Sequence, residues 1–114
     1  MTIRRAVPNI QSDDIATSSA FYAKLGFEEV MNLGWVATMS SPSNPTAQVS
    51  FIGDDPAGIH ADISVEVEDV DAVHARMSKA DIVYELRDEP WGVRRFFVRD
   101  PNGKVVNVVG HQAS

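Results

Sequence analysis

Apolar and polar residues alternate along this chain in two periods that succeed one another twice. Residues 3–11 read as a strand. The stretch SDDIATSSAFYAKLGF then opens with the cap-type residues Ser12, Asp13 and Asp14 and carries Ile15, Tyr22 and Leu25 near helical spacing, until Gly26 stops it. Apolar runs at 27–31, 34–39 and 47–52 read as three short strands, the first two a hairpin. The loop SSPSNPT before the third carries two prolines that forbid a regular strand through it.

After GDDPAGIH the same order returns. Residues 61–67 alternate as a strand, with Asp62, Ser64 and Glu66 on one face and Ile63, Val65 and Val67 on the other. In EDVDAVHARMSKAD the residues Val70, Val73, Met77 and Ala80 form the core stripe of an amphipathic helix with Asp69 near its N-terminus. Strands follow at about 82–88, 93–99 and 104–109, the last two joined by the turn Asp100-Pro101-Asn102-Gly103.

A slide of 55 residues superposes the halves. Asp14 meets Asp69, Ile15 meets Val70, Ala20 meets Ala75, Lys24 meets Lys79 and Phe27 meets Ile82. The element order is therefore a repeated βαβββ unit. One such unit covers one face of its sheet with a helix and leaves the other open, which two units can share. The expectation is an α+β fold of one domain over residues 1–114, with one module at 3–53 and another at 60–110.

Composition narrows the function. A chain of 114 residues, 44% hydrophobic and 23% charged, has the make-up of one soluble domain with one core. It has no Cys, which excludes disulfides, thiolate metal sites and cysteine nucleophiles. Ten basic against sixteen acidic residues give a net charge of −6, unsuited to a nucleic-acid backbone and suited to a cationic small molecule. No segment has the length of a signal peptide's apolar run or of a membrane span, so a cytoplasmic protein is expected. No Ser/His/Asp arrangement, HExxH helix, P-loop or Rossmann glycine pattern is present.

The stretches SDDIATSSAFYAKLGF, VEVEDVDAVHARM and RFFVRDPNGKVV resemble the vicinal oxygen chelate superfamily, which includes glyoxalase I, fosfomycin-resistance proteins, extradiol dioxygenases and bleomycin-resistance proteins. The resemblance implies paired βαβββ modules whose curled mixed sheets surround a cavity, with metal ligands on strands one, four, five and eight in the metal-using members. Counted from Asp14, Asp69 and Asp100, those slots fall here on Val7, Asp62 and Asn107, with the fourth near Gln48 or Ser50. That set offers one anion, where a transition-metal site wants several converging imidazole or carboxylate donors, so no metal or other cofactor is expected. An amide such as Asn107 on a cavity wall exchanges hydrogen bonds with a polar ligand or a neighbouring side chain.

Within the superfamily, AVPNIQSDDIATSSAFYAKLGF and WGVRRFFVRDPNGKVV are most similar to bleomycin-resistance proteins. This implies a homodimer that sequesters a cationic or aromatic small molecule, in a pocket lined by Val7, Asn9, Gln48, Asp62, Ser64, Arg94 and Asn107 and closed by Trp35 and Trp91. The tryptophans offer flat faces for stacking, or else serve as core or interface aromatics. Arg94 pairs with a carboxylate such as Asp62 or Glu66, or clamps an anion.

The alternative is a glyoxalase- or dioxygenase-like enzyme whose divalent metal is held by His60, Asp62 and a strand-four residue. His60 is otherwise a solvated linker residue, His74 lies beside the helix stripe, and His111 falls in a terminal segment expected to fray.

Overall fold

A computed structural model describes residues 2–112; the extreme ends of the expected 1–114 domain lie outside the described residues. Eight strands and two helices follow one another as β1 (Ile3–Gln11), α1 (Ile15–Ala23), β2 (Glu28–Asn32), β3 (Val36–Ser40), β4 (Gln48–Ile52), β5 (Ile63–Val67), α2 (Val70–Arg76), β6 (Asp81–Asp88), β7 (Val93–Arg99) and β8 (Val105–His111). The fold is mixed α+β, with βαβββ twice. No helix of the described residues is long and apolar enough to cross a membrane.

Each helix starts on an aspartate, and the two aspartates stand 55 residues apart. Asp14 caps α1 by accepting from the Thr17 N–H, and Asp69 caps α2 by accepting from the Ala72 N–H, both at 3.1 Å. Each thereby satisfies one of the amides that a helix leaves unpaired in its first turn.

The backbone contacts divide the chain into an N-terminal unit, Val7–His60, and a C-terminal unit formed by Ala61 onward with the residues up to Ala6. In the N-terminal unit the strand order is β2-β3-β4-β1, β1 and β4 running parallel with Asn9 opposite Ser50. Met39, Val49 and Phe51 form its buried core, against which Ile15, Tyr22 and Phe27 pack. The Tyr22 ring lies 4.9 Å from Phe51 and 6.0 Å from Phe27, within the range of favourable aromatic pairs. The expected stripe residue Leu25 is instead 65% exposed, because α1 ends at Ala23 and the chain turns at Gly26 with φ +113°.

The C-terminal unit repeats the arrangement as β6-β7-β8-β5, with β5 and β8 parallel. Its core is Val67, Val70, Phe96, Val98 and Val108, and Val65, Val73, Ile82, Leu86 and Val106 pack against it. Gly110 lets α2 approach β8. A Cβ there would lie 3.2 Å from the Val67 carbonyl oxygen and 3.4 Å from the Val70 Cβ. The turn Asp100–Gly103 forms as expected, with Gly103 at φ +80° and the Asp100 carboxylate accepting from the N–H groups of Asn102 and Lys104. The Lys104 amide is the main cause that holds the Asp100 pKa below its ordinary value.

Helix α2 is shorter than its apolar stripe. It ends at Arg76 and Met77 leaves helical geometry, its N–H shared between the carbonyls of Val73 and His74. Ala80 then sits in a turn, closed by its N–H to the Met77 carbonyl, because β6 begins at Asp81 opposite Arg99. Strand pairing overrides the last turn of helix.

Candidate functional site

In the C-terminal unit the residues of interest follow from strand parity. Phe96, Val98, Val106 and Val108 face α2, so Phe97 and Asn107, paired across β7 and β8, face the other way, as does Ser64, paired with Asn107 across β5 and β8. Asn107 Nδ2 donates to Ser64 Oγ at 3.0 Å. Its Oδ1 is buried and accepts no hydrogen bond from a described residue. A buried carbonyl oxygen without a donor costs free energy, and native proteins leave few of them. Fully buried Phe97 lies beside this pair, with the Tyr84 ring at 5.0 Å.

Asp62 stands just ahead of β5. Its backbone N–H donates to the Val105 carbonyl at 2.8 Å, and its Oδ2 accepts from the Val105 N–H at 2.9 Å. The carboxylate thus closes the end of the β5–β8 ladder. Glu66, two pleats further on, accepts from Arg5 Nε at 2.6 Å and lies 3.3 Å from His111 Nε2.

Arg94 pairs with neither Asp62 nor Glu66. It lies on the α2 side of the sheet, where its guanidinium donates to Asp71 and Asp88 at 3.1–3.3 Å. Those hydrogen bonds, Asp71's first and Asp88's second, raise its pKa above the ordinary value. The guanidinium on the face shared with Asn107 belongs to Arg95, one residue on and 2% exposed. Arg95 bridges to buried Glu89 at 2.8 Å, and Tyr84 Oη donates to the same carboxylate. The rings of Trp91, Phe97 and Tyr84 surround it, with centroids 4.9, 4.8 and 5.3 Å from its Cζ.

Trp91 lies in the β6–β7 turn, so one of its faces already carries a protein cation. Sequence reasoning missed Arg95 and Glu89. Two adjacent arginines on a strand must point to opposite faces, but the following Phe96-Phe97 pair is apolar on both and leaves the parity undecided.

In the N-terminal unit, Val7 and Asn9 are buried on β1, and Asn9 stands opposite Ser50. Ser50 hydrogen-bonds Thr38 across β3 and β4 at 2.7 Å, and both are buried, as is Ser40. Thr38 and Ser40 were not anticipated. They become visible only through the β3–β4 register, which puts Thr38 beside Ser50 and Ser40 beside Gln48. Gln48 lies on the same face, but its Nε2 donates to the Pro45 carbonyl in the preceding loop. Trp35 lies in the β2–β3 turn, half-buried, its carbonyl accepting from the Gly53 N–H.

The positions counted along the sequence as possible metal slots do not fit a metal. Val7 has no donor atom, Asp62 is engaged with a backbone amide, and Asn107 is a neutral amide whose nitrogen is held by Ser64. Among the described residues no group of three His, Cys, Asp or Glu side chains converges as a cation would require. His60 precedes β5 as a linker residue, but its Nδ1 is buried without a partner, so the expected solvated edge is not what surrounds that atom. His74 sits edge-on to Phe96 at 4.9 Å, and His111 is paired into β8 opposite Val93 instead of lying in a loose end.

Residues 3–108 match the Glyoxalase/Bleomycin resistance protein/Dioxygenase superfamily, and the chain belongs to that superfamily. No curated protein matches it. Among solved structures it is similar to a Legionella pneumophila protein described as an NAD-dependent benzaldehyde dehydrogenase. That likeness has a TM-score of 0.76 and 15% identity, over 94% of this chain and 99% of the other. A superfamily member from Vibrio splendidus 12B01 is similar at TM-score 0.70 and 19% identity, over 96% and 99%. The Mn(II)-bound glyoxalase of Novosphingobium aromaticivorans is similar at TM-score 0.61 and 22% identity, over 95% of this chain and 38% of the other. At these identities the likeness is one of fold.

Proposed function

We propose that this superfamily member binds a small molecule without a metal, as a sequestering protein of the bleomycin-resistance type, and is not a metal-dependent glyoxalase- or dioxygenase-like enzyme. One observation carries the reading. The last-strand slot holds Asn107, whose nitrogen is committed to Ser64 and whose buried carbonyl oxygen awaits a donor. A ligand bearing N–H or O–H groups supplies that donor, and the net charge of −6 favours a cationic or aromatic amine. We read the chain as one domain, a view supported by the family match over 3–108.

A homodimer belongs to the same proposal. Strand β2 is exposed along its whole length at the end of its unit's strand order, with Val30 57% exposed, and such an edge favours a partner. Sedimentation velocity tests this, and a monomer at all concentrations would remove it.

The binding reading is tested by a thermal-shift screen of cationic and aromatic amines against the wild-type chain and Asn107→Leu. At least one compound is expected to raise the wild-type Tm and to leave the variant's unchanged. A set of hits that shift both proteins equally would set Asn107 aside as the ligand's anchor.

A further inference from the structure

The short α2 leaves a groove on the helix side of the C-terminal unit, on the sheet face opposite to Asn107. The helix ends at Arg76, and the chain reaches β6 at Asp81 with no further helix among the described residues of this unit. Val65, Val73, Met77, Val98, Val106 and Val108 line an opening of about 630 Å³, within the range of small-molecule sites and lined mainly by apolar side chains.

Four charged groups stand at its rim, and three are engaged. Arg99 is paired with Asp81 at 3.1 Å, and the Asp100 carboxylate accepts from two amides of its own turn. Arg76, exposed at the C-terminal end of α2, makes no ion pair or hydrogen bond with a described side chain. An apolar trough with one uncommitted guanidinium at its edge complements a molecule with an alkyl body and an anionic head.

We propose that this groove binds a medium-chain carboxylate, its alkyl chain against the valines and Met77 and its carboxylate on Arg76. The site stands apart from the one proposed above and does not depend on it.

Decanoate, below its micelle concentration, is titrated into the full chain carrying ¹³C-methyl methionine. Saturable one-to-one binding is expected, moving the Met77 methyl signal and leaving that of Met39, buried in the N-terminal unit, in place. Arg76→Glu, at an exposed position, is expected to weaken binding about tenfold, as is replacing decanoate by uncharged decanol.

Four results would overturn the proposal: no saturable binding, equal movement of Met39, an unchanged affinity in Arg76→Glu, or decanol binding as well as decanoate. Concentration-dependent dimerisation that silences the Met77 response would also overturn it, by assigning the groove to a second copy of the chain.

Discussion

Arg95 is held by the Glu89 carboxylate and the rings of Tyr84, Trp91 and Phe97. A buried ion pair adds little over an apolar pair, but removing one partner leaves a charge stranded away from water. Glu89→Ala is therefore expected to destabilise the protein by about 3–5 kcal/mol in urea unfolding. A loss below about 1 kcal/mol, the scale of a surface pair, would show that the pair is not buried in solution. At this scale the sequence was only partly informative. Asn107 could be placed by counting from Asp100, and Ser64 by alternation. The exchange of Arg94 for Arg95 could not be foreseen, since it depends on which of Phe96 and Phe97 meets the helix.

Elements were more legible than residues, because their signals are local. The caps Asp14 and Asp69 and the Asp100–Gly103 turn stand where local chemistry puts them. The misplaced ends, at Leu25 and Ala80, are the places where a turn or a strand pairing overrides helix periodicity. The cap on α1 also carries a pH signature. Hydrogen bonds from the Thr17 side chain first, and then from its backbone N–H, lower the Asp14 pKa below the ordinary 3.8. A depressed aspartate stabilises the fold above its unfolded pKa, and the contribution is lost as pH falls through the lower folded value. The Tm gap between wild type and Asp14→Ala is thus expected to be full at neutral pH and to close as pH falls below 3.8. Circular dichroism melts across that range check it, and a gap independent of pH would exclude the charged cap as its cause.

For the whole molecule, the 55-residue repeat made the superfamily legible. Two copies of βαβββ, each opened by a capping aspartate, are a pattern that local periodicity preserves even where identity is low. What the sequence did not reveal is the α2 groove, lined by Val73 and Arg76 of the helix and by Met77 just beyond it.

The central claim is that Asp62 and Asn107, at positions where the sequence count placed possible metal ligands, serve hydrogen bonding here. Elemental analysis by mass spectrometry, on protein purified without chelator or histidine tag, tests it most directly. The account predicts no stoichiometric Zn, Fe, Ni or Mn in the wild type and the same metal content in Asp62→Ala. Near-equimolar metal in the wild type, lost in Asp62→Ala, would contradict it.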